Sequence, residues 1–187
     1  MQEFRSRQSA LTAKQRKEWR GNMEGIILEE RKRLGALLDT HTQAEVMEKI
    51  PQFWRAETDN FLSPPERVPP HLGVLMFNME RGVHLEEIRE FLQDCPAIRP
   101  FDLILANELD DGCARSGNRN TARELAEALG LNYAWGLEFI ELVNDENAKG
   151  FHGNAVFSRW PIRRAGVIRL PEQYNWYFDR QKRIGGR

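Results

Sequence analysis

This chain of 187 residues has little of three things that mark common protein classes. It contains only two cysteines, Cys95 and Cys113, too few for a disulfide scaffold, so we expect reduced thiols and a cytoplasmic protein. Its longest apolar runs, such as Val74–Phe77, are far shorter than the about 20 residues that cross a membrane, and no membrane span is expected. The net charge is −1, so bulk basicity gives no argument for nucleic-acid binding. What is present is 41% hydrophobic residues, enough for the core of a globular protein.

The near-neutral total conceals a charge asymmetry along the chain. Residues 1–70 carry 12 basic and 11 acidic side chains, residues 71–157 carry 7 and 15, and residues 158–187 carry 8 and 2. An acidic middle followed by a basic end is compatible with a cation site beside an anion-binding surface. Two solvated faces give the same pattern, and on charge alone that interpretation is preferred.

Residues 1–62 are predicted to form an α-helical N-terminal extension. Thr12 with Gln15 fits a capping box, in which the two side chains satisfy free amides at a helix start. Thr42 with Glu45 fits a second one. Apolar residues at helical spacing follow both pairs, which is typical of amphipathic helices.

Residues 63–71 are predicted to be a linker, because they hold four prolines, which fix φ and lack an amide donor. Beyond it, residues 72–187 have the alternation of strands and helices that is typical of an α/β domain. Asn120 or Thr121 is expected to cap a helix that ends at Gly130. Strands are expected at 73–77, 101–106, 133–139, 155–157 and 162–170.

Polar side chains stand where two of these strands end. Asn78 follows the first strand and Glu108 the second, with Asp110 and Asp111 directly after. Ligands of open α/β sheets bind at the carboxyl ends of strands, and Mg²⁺ prefers oxygen ligands. From spacing alone, however, the favoured interpretation is that Asn78 caps a turn and Glu108 is a solvated strand end.

Five short motifs resemble, in order, those of the endonuclease/exonuclease/phosphatase superfamily, which has the deoxyribonuclease-I-like fold. The most specific is similar to that family's Gly-Asn-Ala, Ser-Arg and Pro-Ile segment, and is His152-Gly153-Asn154-Ala155-Val156-Phe157-Ser158-Arg159-Trp160-Pro161-Ile162. The others are Val74-Leu75-Met76-Phe77-Asn78-Met79, Asp102-Leu103-Ile104-Leu105-Ala106-Asn107-Glu108-Leu109-Asp110, Arg115-Ser116-Gly117 with 123–130, and Arg183-Ile184-Gly185-Gly186-Arg187. The resemblance implies a β-sheet with flanking helices, half of the family's four-layer sandwich.

The resemblance implies a metal-dependent phosphoester hydrolase, of nuclease or phosphodiesterase or phosphatase type, that uses Mg²⁺ or alternatively Mn²⁺. It makes Glu108 the metal ligand and Asn78 the residue that positions metal or phosphate, and both are candidate catalytic residues. Arg115 is a candidate phosphate contact, since its planar donors fit phosphate oxygens. A salt bridge from Arg115 to Asp110 or Asp111 is an equally good interpretation.

Two further residues come from the most specific motif. Asn154 is a candidate phosphate-binding residue, although a role in holding a strand is favoured. His152 is predicted to be a loop residue, because the family's catalytic histidines lie further along the chain. The substrate class stays open among DNA, RNA, phospholipid and inositol phosphate, because fold does not settle function.

The family's later motifs are missing from the chain: a His after the next strand, a Gly-Asp-x-Asn segment and a terminal Asp-His pair. All four histidines precede residue 153. We therefore expect residues 1–187 to be an incomplete and inactive N-terminal half-domain, whether from a truncated gene or a partial sequence. One sheet without its partner would expose a large apolar face, so a second polypeptide that supplies the missing half is a further hypothesis.

The competing class is a non-catalytic interaction protein. In that interpretation, the N-terminal helices with Trp19, Phe53 and Trp54 dock on a partner, and the basic segment 158–187 adds charge. The favoured alternative is that those helices pack against their own α/β domain.

Overall fold

The computed structural model describes residues 19–20, 22–170 and 182–185. In this part of the chain, seven strands form one mixed sheet with flanking helices, which is an α/β fold. The strands are β1 (Trp19–Arg20), β2 (Ala56–Asp59), β3 (Val74–Arg81), β4 (Leu103–Asp111), β5 (Asn132–Glu141), β6 (Phe151–Ser158) and β7 (Arg183–Gly185). The helices are α1 (Leu28–Leu37), α2 (Gln43–Met47), α3 (Leu85–Asp94) and α4 (Thr121–Leu129), with short 3₁₀ turns at Pro51–Trp54, Pro96–Ile98 and Ala114–Ser116.

The strands are ordered β1-β2-β5-β6-β4-β3, and β7 pairs with β5. The β1–β2 and β3–β4 pairs are parallel, and the remaining pairs are antiparallel. Gly153 of β6 leaves no room for a side chain against β5, because a Cβ atom there would meet the carbonyl oxygen of Gly136 and lie 2.8 Å from the ring of Trp135. Strands β5, β6, β4 and β3 are consecutive in the sheet, with β3 at its edge, and they carry three of the five motifs named above.

One face of the sheet forms the hydrophobic core. Register places Ala106, Ala155 and Trp135 side by side on β4, β6 and β5, and all three are buried. Leu92 of α3 and Leu125 of α4 belong to the same buried cluster. Because alternate residues of a strand point to opposite faces, this register also fixes which side chains lie on the other face.

The other face of the sheet keeps exposed apolar side chains. Met76, Leu105 and Val156 are opposite one another on β3, β4 and β6. Met76 is 73% exposed, Val156 is 39% exposed, and Val74 on the same face of β3 is 51% exposed. We refer to this side as the open face.

The N-terminal segment packs on the core of its own domain. Met23, Leu34 and Phe53 lie in the same buried cluster as the sheet. The guanidinium of Arg31, itself buried, donates to the carbonyl oxygens of Glu141 (3.1 Å) and Asn147 (2.7 Å). Each of these buried backbone acceptors is thereby satisfied, which anchors the segment between the end of β5 and the following loop.

Strand β2 lies inside the stretch that the sequence predicts to be helical. Its residues pair antiparallel with β5, and Glu57 is fully buried, where its carboxylate accepts bonds from the hydroxyl of Tyr133 (2.6 Å) and the amide of Asn120 (2.9 Å). A four-residue strand that buries a glutamate has no apolar alternation, so periodicity alone does not reveal it. The capping box at Thr12 and Gln15 lies outside the described residues.

The strand predicted over 162–170 is wrong, because these residues form no regular secondary structure. Ile162 exchanges two backbone hydrogen bonds with the side chain of Asn60, and the guanidinium of Arg169 donates to the carbonyl oxygens of Phe53 and Leu137. The segment is therefore held by side chains and carbonyl groups instead of by a neighbouring strand. Val167 Cγ2 lies 3.4 Å from the point that a Cβ atom on Gly136 would occupy, so the segment packs against β5.

Several local predictions are confirmed. Thr42 and Glu45 form a capping box at the start of α2, and the side chain of Asn120 caps α4. Gly130 ends α4 with a left-handed φ of 61°. The cysteines are free thiols. Among residues 19–20, 22–170 and 182–185, no helix is long and apolar enough to cross a membrane.

Candidate functional site

A β-bulge turns Glu108 onto the open face. The pairing of β4 with β6 shifts register between Ala106 and Leu109, and Glu108, in between, has a φ of 58°. Such a left-handed conformation is uncommon for a residue with a side chain, and it clusters at functional sites. The result is that the carboxylate reaches across to β3, where the amide of Asn78 donates to Glu108 Oε1 at 3.0 Å.

Asn78 has its side-chain orientation fixed by two hydrogen bonds. Its Nδ2 donates to Glu108, and its Oδ1 accepts a bond from the backbone N–H of Glu80 at 2.9 Å. Because that oxygen already serves the backbone, the amide acts on the carboxylate of Glu108 as an orienting donor. The side chain is exposed at the end of the regular β3–β4 pairing.

Asn154 links Glu108 to a second carboxylate. Its Oδ1 accepts a bond from the backbone N–H of Glu108 at 3.1 Å, and its Nδ2 donates to Glu138 Oε2 at 3.2 Å. Asn78, Glu108, Asn154 and Glu138 thus form a continuous chain of hydrogen bonds across β3, β4, β6 and β5. We call these four residues the open-face cluster.

Glu138 was not singled out from the sequence. It lies in the predicted strand 133–139 and alternates with the buried Trp135 and Leu137, so the available signal was an acidic residue on the solvent side of that strand. Arg169 lies nearby: burial lowers the pKa of its guanidinium to about 10, and the charge of Glu138 opposes that shift. Only the pairing of β5 with β6 shows that Glu138 is beside Asn154.

The donor set of the open-face cluster suits a hard cation. It offers two carboxylates and no sulfur or imidazole, while the side-chain oxygens of Asn78 and Asn154 already accept backbone N–H bonds. Mg²⁺ is commonly bound through one or two carboxylates, with water and substrate oxygens completing its shell. Within the described part of the chain, no group of three or more His, Cys, Asp or Glu side chains is arranged to hold a metal ion. The cluster therefore fits an open Mg²⁺ site that needs oxygens from water or substrate, and does not fit a closed all-protein cage.

Arg115 is not part of this cluster. Its Nε and Nη2 donate to the two carboxylate oxygens of Asp110, at 2.7 and 2.8 Å, and its Nη1 donates to Glu141. Of the two interpretations left open by the sequence, the salt bridge to Asp110 is the one that the structure contains. Burial alone would lower the pKa of Arg115, but the hydrogen bonds and charges of its carboxylate partners raise it.

Asp110 is the centre of a buried charge network. Its carboxylate is fully buried and accepts bonds from Arg115, from Ser116 Oγ (3.3 Å) and from His152 Nδ1 (2.7 Å). Burial raises the pKa of Asp110, but these hydrogen bonds outweigh burial and hold the pKa below its usual range. We call Asp110, Arg115, Glu141 and His152 the buried network.

Asp111 shows the opposite balance in the next position of the chain. It is buried and pairs with Lys149 Nζ at 2.7 Å, an ammonium that also donates to the carbonyl oxygen of Met23. Burial raises the pKa of Asp111 to about 6, the charge of Lys149 counteracts it in part, and the charge of Glu57 adds to it. One of these two neighbouring aspartates is therefore held ionised, and the other titrates in the weakly acid range.

The prediction that His152 is a loop residue is wrong. His152 lies in β6, directly opposite Asp110 on β4, and is only 2% exposed. Its ring stacks on Phe139 of β5 at a centroid distance of 4.3 Å. The predicted strand 155–157 begins too late, because Gly153 and Asn154 are unusual strand residues, and it therefore leaves His152 outside.

Comparisons of this chain with protein-family models, with curated proteins and with solved structures found no match.

Proposed function

We propose that this chain carries the metal-binding part of a Mg²⁺-dependent phosphoester hydrolase of the endonuclease/exonuclease/phosphatase type, with one sheet of a deoxyribonuclease-I-like fold. The observation that carries the proposal is the carboxylate of Glu108 on the open face. The side-chain amide of Asn78 orients this carboxylate, and Asn154 accepts the backbone N–H of Glu108, where the strands bulge. The left-handed backbone conformation of Glu108, whose carboxylate is exposed, costs free energy. A binding role for that carboxylate would explain why the strained conformation persists.

In this proposal Glu108 and Glu138 would hold the metal ion, and Asn78 would keep Glu108 in its binding orientation. When bound, Mg²⁺ (or Mn²⁺) would neutralise charge on phosphoryl oxygens and help to generate the attacking hydroxide. Asn154 is the proposed phosphate contact, since its exposed amide joins the backbone of Glu108 to the carboxylate of Glu138. Arg115 is assigned to holding Asp110, because a phosphate would have to displace two carboxylates from its guanidinium.

The test is Mg²⁺-dependent thermal stabilisation of the full chain. At a tenfold excess of Mg²⁺ over its Kd, mass action adds about 1.4 kcal/mol, which raises the Tm by about 3–5 °C. We expect Glu108→Gln to lose this shift and Glu90→Gln, an exposed glutamate on α3, to keep it. Hydrolysis of bis(4-nitrophenyl) phosphate is measured on the same variants. An equal Mg²⁺ shift in the parent and in Glu108→Gln would overturn the proposal.

A second proposal concerns partners. The exposed apolar side chains of Val74, Met76 and Val156 favour a polypeptide layer that covers the open face, since exposed apolar patches mark interaction sites. Docking by the N-terminal helices has less support, because Leu34, Met47 and Phe53 of that segment are already in the core. Size-exclusion chromatography tests the covered-face proposal. A stable, compact monomer whose open face stays exposed to solvent counts against it. A chain without any Mg²⁺ effect would favour the non-catalytic interaction protein.

A further inference from the structure

Strand β3 lies at the edge of the sheet and has a neighbour on one side. Among residues 19–20, 22–170 and 182–185, only β4 pairs with it, so no strand of the described chain uses the backbone groups on its other side. The strand at the opposite end of the sheet, β1, is only two residues long. The unpaired edge of a long strand is a place where a further strand can add to the sheet.

The pairing with β4 fixes which backbone groups of β3 point outward. The carbonyl oxygen of Gly73 accepts the N–H of Leu103 at 3.1 Å, so Gly73 directs its backbone toward β4. Successive residues of a strand direct their N–H and C=O groups alternately to the two sides. The residues that present these groups to the open edge are therefore Val74, Met76 and Asn78.

Residues 72–79, which we call the edge stretch, lack the features that normally keep an edge strand from pairing. They include no charged residue and no proline, whereas natural edges are commonly protected by lysine, proline or very short strands. Val74 and Met76 are exposed on the open face. On the other side of the sheet, Phe91 of α3 stacks on Phe77 at 5.8 Å and is 42% exposed. Apolar side chains thus accompany the edge on both sides of the sheet.

The edge stretch is complementary to a second copy of itself. In an antiparallel pair centred on Met76, the two Met76 residues lie opposite each other, and Val74 lies opposite Asn78. These are the residues whose backbone groups point outward, so each pair exchanges both of its N–H···O bonds. Leu75 then lies opposite Phe77, where an aliphatic and an aromatic side chain pack across the strands. The pairing brings no like charges together, because the edge stretch is uncharged.

We propose that two copies of this chain associate through β3, antiparallel about Met76, so that their sheets join into one continuous sheet. The contact is isologous and closes at two copies, because each copy contributes its one long open edge. Side chains that lie opposite each other within a sheet share a face, so the two open-face clusters lie on the same side of the joined sheet. The association is independent of the proposed metal site. It also differs from a polypeptide layer over the open face, because it uses the edge of β3.

The first test is sedimentation velocity of the full chain over a range of concentrations. We expect a species of twice the chain mass of 21.8 kDa that dissociates on dilution. Met76→Lys should stay monomeric, because it places an ammonium group from each copy at the two-fold axis. Val156→Lys, on the same face but two strands away from the edge, is the matched control and should dimerise like the parent.

The other outcomes of this test contradict the proposal. A parent that is monomeric at every concentration, or that forms species larger than a dimer, would overturn it, and so would a dimeric Met76→Lys. If Val156→Lys is monomeric as well, the copies associate through the open face and the edge proposal is wrong. Far-UV circular dichroism of each variant checks that the fold is kept, as expected for a substitution at a side chain that is 73% exposed.

The second test is disulfide cross-linking, which reports the register. Met76→Cys and Val74→Cys are made in a Cys95→Ser background, which removes the half-buried native thiol and leaves the buried Cys113. In the proposed register, the two Cα atoms at position 76 are about 5.5 Å apart, within the range of a disulfide. The two positions 74 are about 13 Å apart along the strands, which is too far.

We therefore expect mild oxidation to yield a covalent dimer of Met76→Cys on a non-reducing gel and to leave Val74→Cys monomeric. Absence of a covalent dimer in Met76→Cys, or cross-linking of Val74→Cys to the same extent, would overturn the proposed pairing.

Discussion

The open-face cluster and the buried network share strands β4, β5 and β6 and both contain carboxylates, yet their surroundings give them different properties. Glu108 and Asp110 are two residues apart on β4, and Asn154 and His152 are two residues apart on β6. Glu108 is partly exposed and has one amide donor on its carboxylate, whereas Asp110 is fully buried and is satisfied by an arginine, a hydroxyl and an imidazole. The comparison teaches that saturation with partners, more than residue type, separates a supporting carboxylate from one that is available for a ligand.

Removing the arginine of the buried network should have the largest effect. Arg115→Ala leaves the carboxylates of Asp110 and Glu141 buried without their main partner, and breaking a buried pair in this way costs about 3–5 kcal/mol. Urea denaturation should show this loss in the free energy of unfolding. Arg89→Ala, at an exposed pair on α3, should cost less than about 1 kcal/mol. Equal losses in the two variants would contradict the distinction.

The buried aspartate next to this network should make stability depend on pH. The pKa of Asp111 is raised in the folded state to about 6, so between its unfolded value and pH 6 the folded chain binds more protons than the unfolded chain. Its contribution to stability is therefore present at low pH and lost as the pH rises through 6.

For Asp111→Asn, the free energy of unfolding relative to the parent should increase by about 2–3 kcal/mol between pH 4 and pH 7, at 1.36 kcal/mol for each pKa unit. Denaturant titrations at both pH values measure it. The same relative stability at pH 4 and pH 7 would show that Asp111 does not titrate in this range.

Removing the orienting amide of the open-face cluster should lower the affinity for Mg²⁺ and leave the chain folded. Asn78→Ala takes away the donor that fixes Glu108, and loss of such a supporting bond lowers metal affinity by about 10–100-fold. Isothermal titration calorimetry with Mg²⁺ measures it. Asn107→Ala, the exposed asparagine next to Glu108, is the matched control and should keep the parent affinity. A parent-like affinity in Asn78→Ala would assign Asn78 to the turn alone.

The smallest effect should come from relieving the bulge itself. Glu108→Gly removes a side chain from a left-handed position, which relieves about 1–2 kcal/mol, while glycine costs about 0.5–1 kcal/mol through the unfolded chain. The free energy of unfolding should therefore stay equal or rise by up to about 1 kcal/mol, although the Mg²⁺ shift is lost. A loss of stability in thermal and urea unfolding would mean that Glu108 supports the fold.

Part of this site could be predicted from the sequence. Asn78 and Glu108 follow apolar runs, and the rule that ligands bind at strand ends makes them candidates, which the structure brings within 3.0 Å of each other. The favoured interpretation, that Asn78 caps a turn, agrees with the bond that its Oδ1 accepts from the N–H of Glu80. Asn154 was found only through a family motif. Its actual neighbours depend on the register of β6, which no local pattern of residues sets.

The remainder could not be predicted, for reasons that can be stated residue by residue. Glu138 and His152 gain their positions from bulges in the pairing of β5 with β6 and of β4 with β6. The strand that contains Glu57 is polar, and its burial depends on Tyr133 from a distant part of the chain. Conversely, the apolar residues at 162–170 suggested a strand, but their backbone is bound to side chains such as that of Asn60. In each case, contacts with distant parts of the chain decide the structure against the local sequence pattern.

Gly153 lies between His152 and Asn154 on β6, and its lack of a side chain affects both the buried network and the open-face cluster. Any side chain there would strike the carbonyl of Gly136 and the ring of Trp135, and would push β5 away from β6. Since Glu138 and Phe139 lie on the displaced strand, the carboxylate of Glu138 would move away from Asn154 and the ring of Phe139 would move away from His152. The absence of a side chain at Gly153 thus sets the spacing between β5 and β6 on which the contacts of both the open-face cluster and the buried network depend.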